Sequence, residues 1–276
     1  MRCCSLLPLI ILVFKNERKL FEVNNVKNYG ISKYIILFFI SNFITYSIIQ
    51  LFSLRHLIVK LIVSSDIITG ILIIFFCRKE LKEVLSRKTN TRSNWRLTIL
   101  MFIYGVCYSL AMLSFYTFLG IDKINVERGE ISLEIAKFIY SNKLMGFLSI
   151  CIIAPIIEEI LFRGLIFRSL LKTNSLIMSV IISSAIFAFF HLNFKQGIIA
   201  FGLGLLSSVM YFYYGSIFYP IAIHMGHNST VLLIAILIGT NFSNFFSLLM
   251  FFISLSLTVI NTIIISCVKK RNLSTF

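Results

Sequence analysis

Three short clusters of ionisable and amide side chains interrupt otherwise apolar stretches: Glu158, Glu159 and Arg163; then His191; then His224, His227 and Asn228. An ionisable group at bilayer depth costs at least about 2.5 kcal/mol on insertion scales. Such groups are therefore kept for a function or for internal pairing. A carboxylate supplies a base, imidazoles supply proton donors or metal ligands, and an amide supplies a donor for a developing oxyanion. That is the set that water-dependent hydrolysis of an amide needs.

The spacing sorts the groups. Glu159 and Arg163 stand four residues apart in the order that favours an intrahelical ion pair. This leaves Glu158 about 100° away around the helix, unpaired and the better candidate for a reactive carboxylate. His224 and His227 are three apart and His224 and Asn228 four apart, so one side of a helix can present all three. Each group has a plainer reading: Glu159 and Arg163 as an internal staple, His191 as a core histidine on the Phe187, Phe189 and Phe190 face, His227 as a supporting residue, Asn228 as interhelical glue. Asp66 lacks such company on its own helix and is assigned to helix packing. The combination at one depth, rather than any member, favours chemistry.

The elements that carry these residues follow from composition. With 58% hydrophobic and 13% charged residues over 276 positions, the chain reads as an all-α, polytopic membrane protein. Apolar runs predict about eight helices, at 31–53, 57–77, 97–119, 143–171, 175–194, 197–213, 216–239 and 243–268. At 1.5 Å per residue, Glu158 lies about 23 Å and His191 about 26 Å from the turn near Thr173, so the two share a level. His224 and Asn228 lie about 14 and 20 Å beyond the turn at Gly215, and kinks can close the remaining gap. Pro155 and Pro220, three and four residues before Glu158 and His224, are expected to bend their helices and aim the polar groups.

The net charge of +15 sits in loops beside spans, not on the basic soluble face that nucleic acid would need. Arg78, Lys79, Lys82, Arg87, Lys88, Arg92 and Arg96 crowd one connection, whereas acidic residues offset the basic ones over 120–142. The first is therefore expected on the cytoplasmic side, and both termini with it. The six cysteines show neither a disulfide framework nor a zinc knuckle. The chain reads as one membrane domain: an interfacial or cytoplasmic segment at 1–30, N-terminal spans and loops at 31–142, a motif core at 143–240, and a last span with a basic tail at 241–276.

At the motif residues the chain resembles the CAAX-protease and bacteriocin-processing family, the type II CAAX protease or Abi family. Its pattern is Glu-Glu-x-x-x-Arg, then Phe-x-x-x-His, then His-x-x-x-Asn or Asp. This sequence carries Glu158-Glu159-Ile-Leu-Phe-Arg163, Phe187-Ala-Phe-Phe-His191 and His224-Met-Gly-His-Asn228, in order. The resemblance covers about residues 143–230; the N-terminal half matches only as generic spans. It implies an intramembrane endopeptidase in which Glu158, with His191, activates the attacking water. His224 and Asn228 would stabilise the oxyanion, and Glu159 and Arg163 would hold the motif helix. His227 is not a motif position. Two forms of the attacking water stay open: one activated by protein groups alone, and one on Zn2+ held by Glu158, His191 and His224.

The implied location is the cell membrane and the implied substrate a hydrophobic or membrane-tethered peptide. The Lys-, Asn-, Ile- and Phe-rich composition looks like that of a low-GC bacterium. Bacterial relatives are associated with peptide or bacteriocin maturation and self-immunity rather than prenylated tails. Two other classes compete: a non-catalytic scaffold or immunity protein that binds a bacteriocin or sensor-kinase helix, and a transporter or proton pathway, which the absence of an inverted repeat disfavours.

Overall fold

The computed structural model describes residues 30–51, 58–86, 95–119, 142–191, 193–237, 252–254 and 256, which form an all-α membrane helix bundle. The helices are α1 (Ile31–Leu51), α2 (Ile58–Phe76), α3 (Arg78–Ser86), α4 (Trp95–Phe118), α5 (Lys143–Thr173), α6 (Leu176–Phe189), α7 (Phe194–Tyr214) and α8 (Phe218–Leu237). Helices α4, α5 and α7 are long and apolar enough to cross a membrane by length and composition. Large apolar side chains such as Phe43, Phe75 and Phe194 point outward, as lipid permits. Trp95 opens α4 on the surface beside Arg96, the placement of an interfacial anchor.

Seven of the eight expected spans correspond to helices seen here. The eighth, expected at 243–268, lies largely outside the described residues, as do the 120–142 connection, His56 and both ends of the chain. Helix α3 was not expected: residues Arg78–Ser86 of the basic connection form a short amphipathic helix. Its Val84 packs on Gly164 of α5, and Glu80 pairs with Lys33 at 3.1 Å while Glu83 faces Arg168 at 3.6 Å. A charge-rich stretch hid a two-turn apolar stripe.

Helix α6 ends at Phe189, five residues before the expected boundary at 194. Asn193 explains the early stop, because its side chain accepts hydrogen bonds from the N–H groups of Lys195 and Gln196 and so starts α7. His191 thus lies in the turn after α6 rather than on the helix, with its N–H bonded to the Ala188 carbonyl.

Helix α8 is pressed against α4 through two glycines. A Cβ on Gly105 would strike the Ile223 carbonyl, and one on Gly226 the Phe102 carbonyl. Backbone-to-backbone approach of this kind is how membrane helices pack when lipid removes the hydrophobic drive. Helices α6 and α7 close in a similar way, with Gly204 against Ser184 and Ser183 hydrogen-bonded to Ser208 at 3.3 Å. Helix α5 passes through the middle of the bundle and touches α2, α6 and α8.

Candidate active site

Helix α5 carries the acidic motif on an irregular winding. Turns at Leu148–Ile153 and Ile160–Phe167 are π-helical, and Ala154–Glu159 between them is α-helical. Such wide turns inside long helices are rare and are frequent at functional sites. Pro155 gives part of the cause. In the wide register the Ala154 N–H reaches the Ser149 carbonyl, five residues back. The next donor would be the N–H that Pro155 lacks. The Ile150 carbonyl is taken instead by Nδ2 of Asn228, at 2.8 Å, which ties α8 to α5. Around Pro155 the helix changes its winding from π to α. Pro220 does not kink α8: it stands in the first turn, where its missing N–H costs nothing, and so starts the helix.

Glu159 and Arg163 form the expected ion pair, Oε1 to Nη1 at 3.1 Å, with both side chains fully buried. The same Oε1 accepts a second hydrogen bond from Nδ1 of His224, at 2.9 Å. Because a carboxylate only accepts, this bond places the proton on Nδ1 and leaves Nε2 of His224 facing inward. That Nε2 lies 3.8 Å from Oε2 of Glu158. The separation is too long for a direct hydrogen bond and suits a bridging water or a substrate oxygen. Glu158 keeps 24% of its side chain exposed, whereas Glu159 has none. Adjacent glutamates on one turn thus divide into a fully buried holder and a partly exposed neighbour.

Phe187 is the hub of the second motif. Its buried ring lies 4.4 Å from the Arg163 guanidinium, 4.8 Å from the His191 ring and 5.7 Å from the His224 ring. Arg163 therefore spends one edge on Glu159 and one face on an aromatic ring, while Nε and Nη2 have no hydrogen-bond partner among the described residues. His191 bonds the Phe187 carbonyl through Nδ1 at 2.9 Å. It lies in electrostatic reach of His224 and Arg163, so all three motifs meet in one place.

Three features depart from the sequence reading. Glu159 is more than the partner of Arg163, since it also orients His224. Asn228 commits a donor to the helix backbone instead of holding its whole amide for substrate. Asp66, read as a helix-packing or interface group, also stands near the acidic motif: α2 packs on the 154–159 turn of α5, with Ile157 on Gly70, and Asp66 lies within electrostatic reach of Glu158. Its position four residues before Gly70 on one helix face was the available signal, but nothing in the sequence alone pairs α2 with α5.

The donor arrangement speaks to zinc as well. Among the described residues no three His, Cys, Asp or Glu side chains are grouped as the ligands of one ion would be. Glu158, His191 and His224 are not gathered as the ligands of one zinc ion in this arrangement.

Residues 140–230 match the family described as type II CAAX prenyl endopeptidase Rce1-like. A curated relative, the membrane-embedded CAAX protease MroQ of Staphylococcus aureus (strain USA300), is 36% identical over 94 residues. That alignment takes in 32% of this chain and 38% of the relative. No solved structure matches the chain.

Proposed function

We propose that the protein is an intramembrane endopeptidase that hydrolyses a peptide bond of a hydrophobic or membrane-tethered peptide, a reading supported by the match of residues 140–230 to the type II CAAX prenyl endopeptidase Rce1-like family. The observation that carries this reading is the opposition of Glu158 Oε2 and His224 Nε2 across 3.8 Å, with the imidazole held from behind by Glu159.

In this mechanism a water sits between the two groups. Glu158 takes a proton from it as the water attacks the scissile carbonyl, and later returns a proton to the leaving amine. The developing oxyanion is met by His224 in its imidazolium form, Nε2 having taken a proton from bulk water before the attack and keeping it through the cycle. The second N–H of the Asn228 amide, which Ile150 does not use, adds to that stabilisation. Glu159, hydrogen-bonded to Nδ1, stabilises the imidazolium, as the orienting acid does in other hydrolases. Arg163 pairs with Glu159 in that buried place. His191, seated on Phe187, completes the polar wall and assists activation of the water. Peptide or bacteriocin maturation and self-immunity are roles that such cleavage would serve. The basic segments flanking the spans support cytoplasmic termini in the cell membrane.

The test is cleavage of a membrane-inserted peptide by purified protein in liposomes. The wild type should cut, and Glu158→Ala, His191→Ala and His224→Ala should not. Full activity in any one of them removes that residue from the mechanism. Protection of cells by a Glu158→Gln protein that cleaves nothing would favour a non-catalytic scaffold.

A further inference from the structure

His227 lies outside the three motifs, yet it is the most isolated polar side chain near the site. It is only 9% exposed, and its buried Nδ1 has no hydrogen-bond partner among the described residues. Its ring lies 5.7 Å from that of Tyr108 on α4, tilted by 60°. Tyr108 cannot donate to it, because the phenol proton goes to the Ile199 carbonyl at 2.7 Å. His227 also lies in electrostatic reach of both His224 and His191, so the ring borders the reactive groups. A buried polar group without a partner costs about 1–3 kcal/mol. Packing alone would be served as well by phenylalanine.

A substrate cut inside the membrane has the complementary problem. Its backbone must unwind to expose an amide, and each freed N–H or C=O needs a partner where lipid offers none. Resting on the endopeptidase reading, we propose that His227 is a substrate-binding residue: its imidazole hydrogen-bonds a backbone amide group of the unwound peptide, on the α4 side of the scissile bond. Three residues along α8 separate it from His224, about 4.5 Å of axial rise. An extended peptide advances about 3.3 Å per residue. The bonded group therefore belongs to the residue one or two positions from the cleaved carbonyl. A neutral imidazole carries one donor and one acceptor and can serve either backbone group.

The experiment compares wild type, His227→Gln, His227→Phe and His227→Met in liposomes. The substrates are a hydrophobic peptide and analogues in which single backbone amides beside the cut become esters. One hydrogen bond corresponds to about a two- to tenfold effect. His227→Phe and His227→Met should lower kcat/KM by about that factor, mainly through KM, and His227→Gln should recover most of it. One ester position should weaken cleavage by wild type but not by the Phe and Met proteins. The Met variant guards against misfolding of the Phe variant. Apolar variants as active as His227→Gln, or an ester penalty unchanged by them, overturn the assignment alone. A wild type that cleaves no peptide overturns the endopeptidase reading, and this assignment with it.

Discussion

The α6–α7 pair and the α5–α8 pair are both packed through small and polar residues, yet they use their polar atoms in opposite ways. Between α6 and α7, Ser183 bonds Ser208 and the Val180 carbonyl, Ser184 bonds Val180, and Gly204 lets the backbones meet. Those bonds close on themselves and serve adhesion. Between α5 and α8, Glu159 accepts hydrogen bonds from Arg163 and His224 and so holds the frame, while among the described residues Glu158 Oε2 and the Nε and Nη2 atoms of Arg163 have no hydrogen-bond partner. Ser207 Oγ of α7 is also without a hydrogen-bond partner among the described residues, so what separates the α5–α8 pair is unspent capacity on ionisable side chains rather than polarity itself.

That contrast is sharpened by substitutions on each side. The largest effect is expected at Glu158. Its replacement by Gln should lower peptide cleavage by about 10²- to 10⁴-fold, the usual worth of a positioned base, and leave thermal unfolding of the purified protein unchanged. Arg163→Ala should remove activity and stability together. It leaves Glu159 as an uncompensated buried charge at a cost of about 3–5 kcal/mol, visible in unfolding or in the yield of folded protein. Gly105→Ala should force α4 away from Ile223 and cost about 1–3 kcal/mol, with cleavage falling because α8 carries His224. The smallest effect belongs to the adhesive pair. Ser183→Ala should cost about 0.6 kcal/mol and leave cleavage as it is. A Ser183→Ala protein with normal stability and lost cleavage would erase the distinction.

Much of this arrangement was legible in the residue order. The apolar runs located the helices, the four-residue spacing located the Glu159 and Arg163 pair, and the helix phase correctly left Glu158 unpaired. What escaped the sequence depends on contacts between distant segments. The bond from Glu159 to His224 spans 65 positions, the one from Asn228 to Ile150 spans 78, and no periodicity reports either. The early end of α6 turns on one capping side chain, Asn193, which a run of apolar residues masks. Asp66 looked isolated because its neighbour in space is on another helix. Pro155 and Pro220 show the same limit: one reshapes a helix and the other starts one, and only their distance from the helix start separates them.

The central claim is that Glu158 and His224 act as a unit on one water. A double-mutant cycle measures that unity most directly, with Glu158→Gln, His224→Gln and the pair compared for cleavage of one membrane-inserted peptide. Groups sharing a single step lose their effect together, so the double variant should be within a few-fold of the weaker single variant. Losses that multiply across the cycle would show the two residues acting on separate steps and would contradict the account.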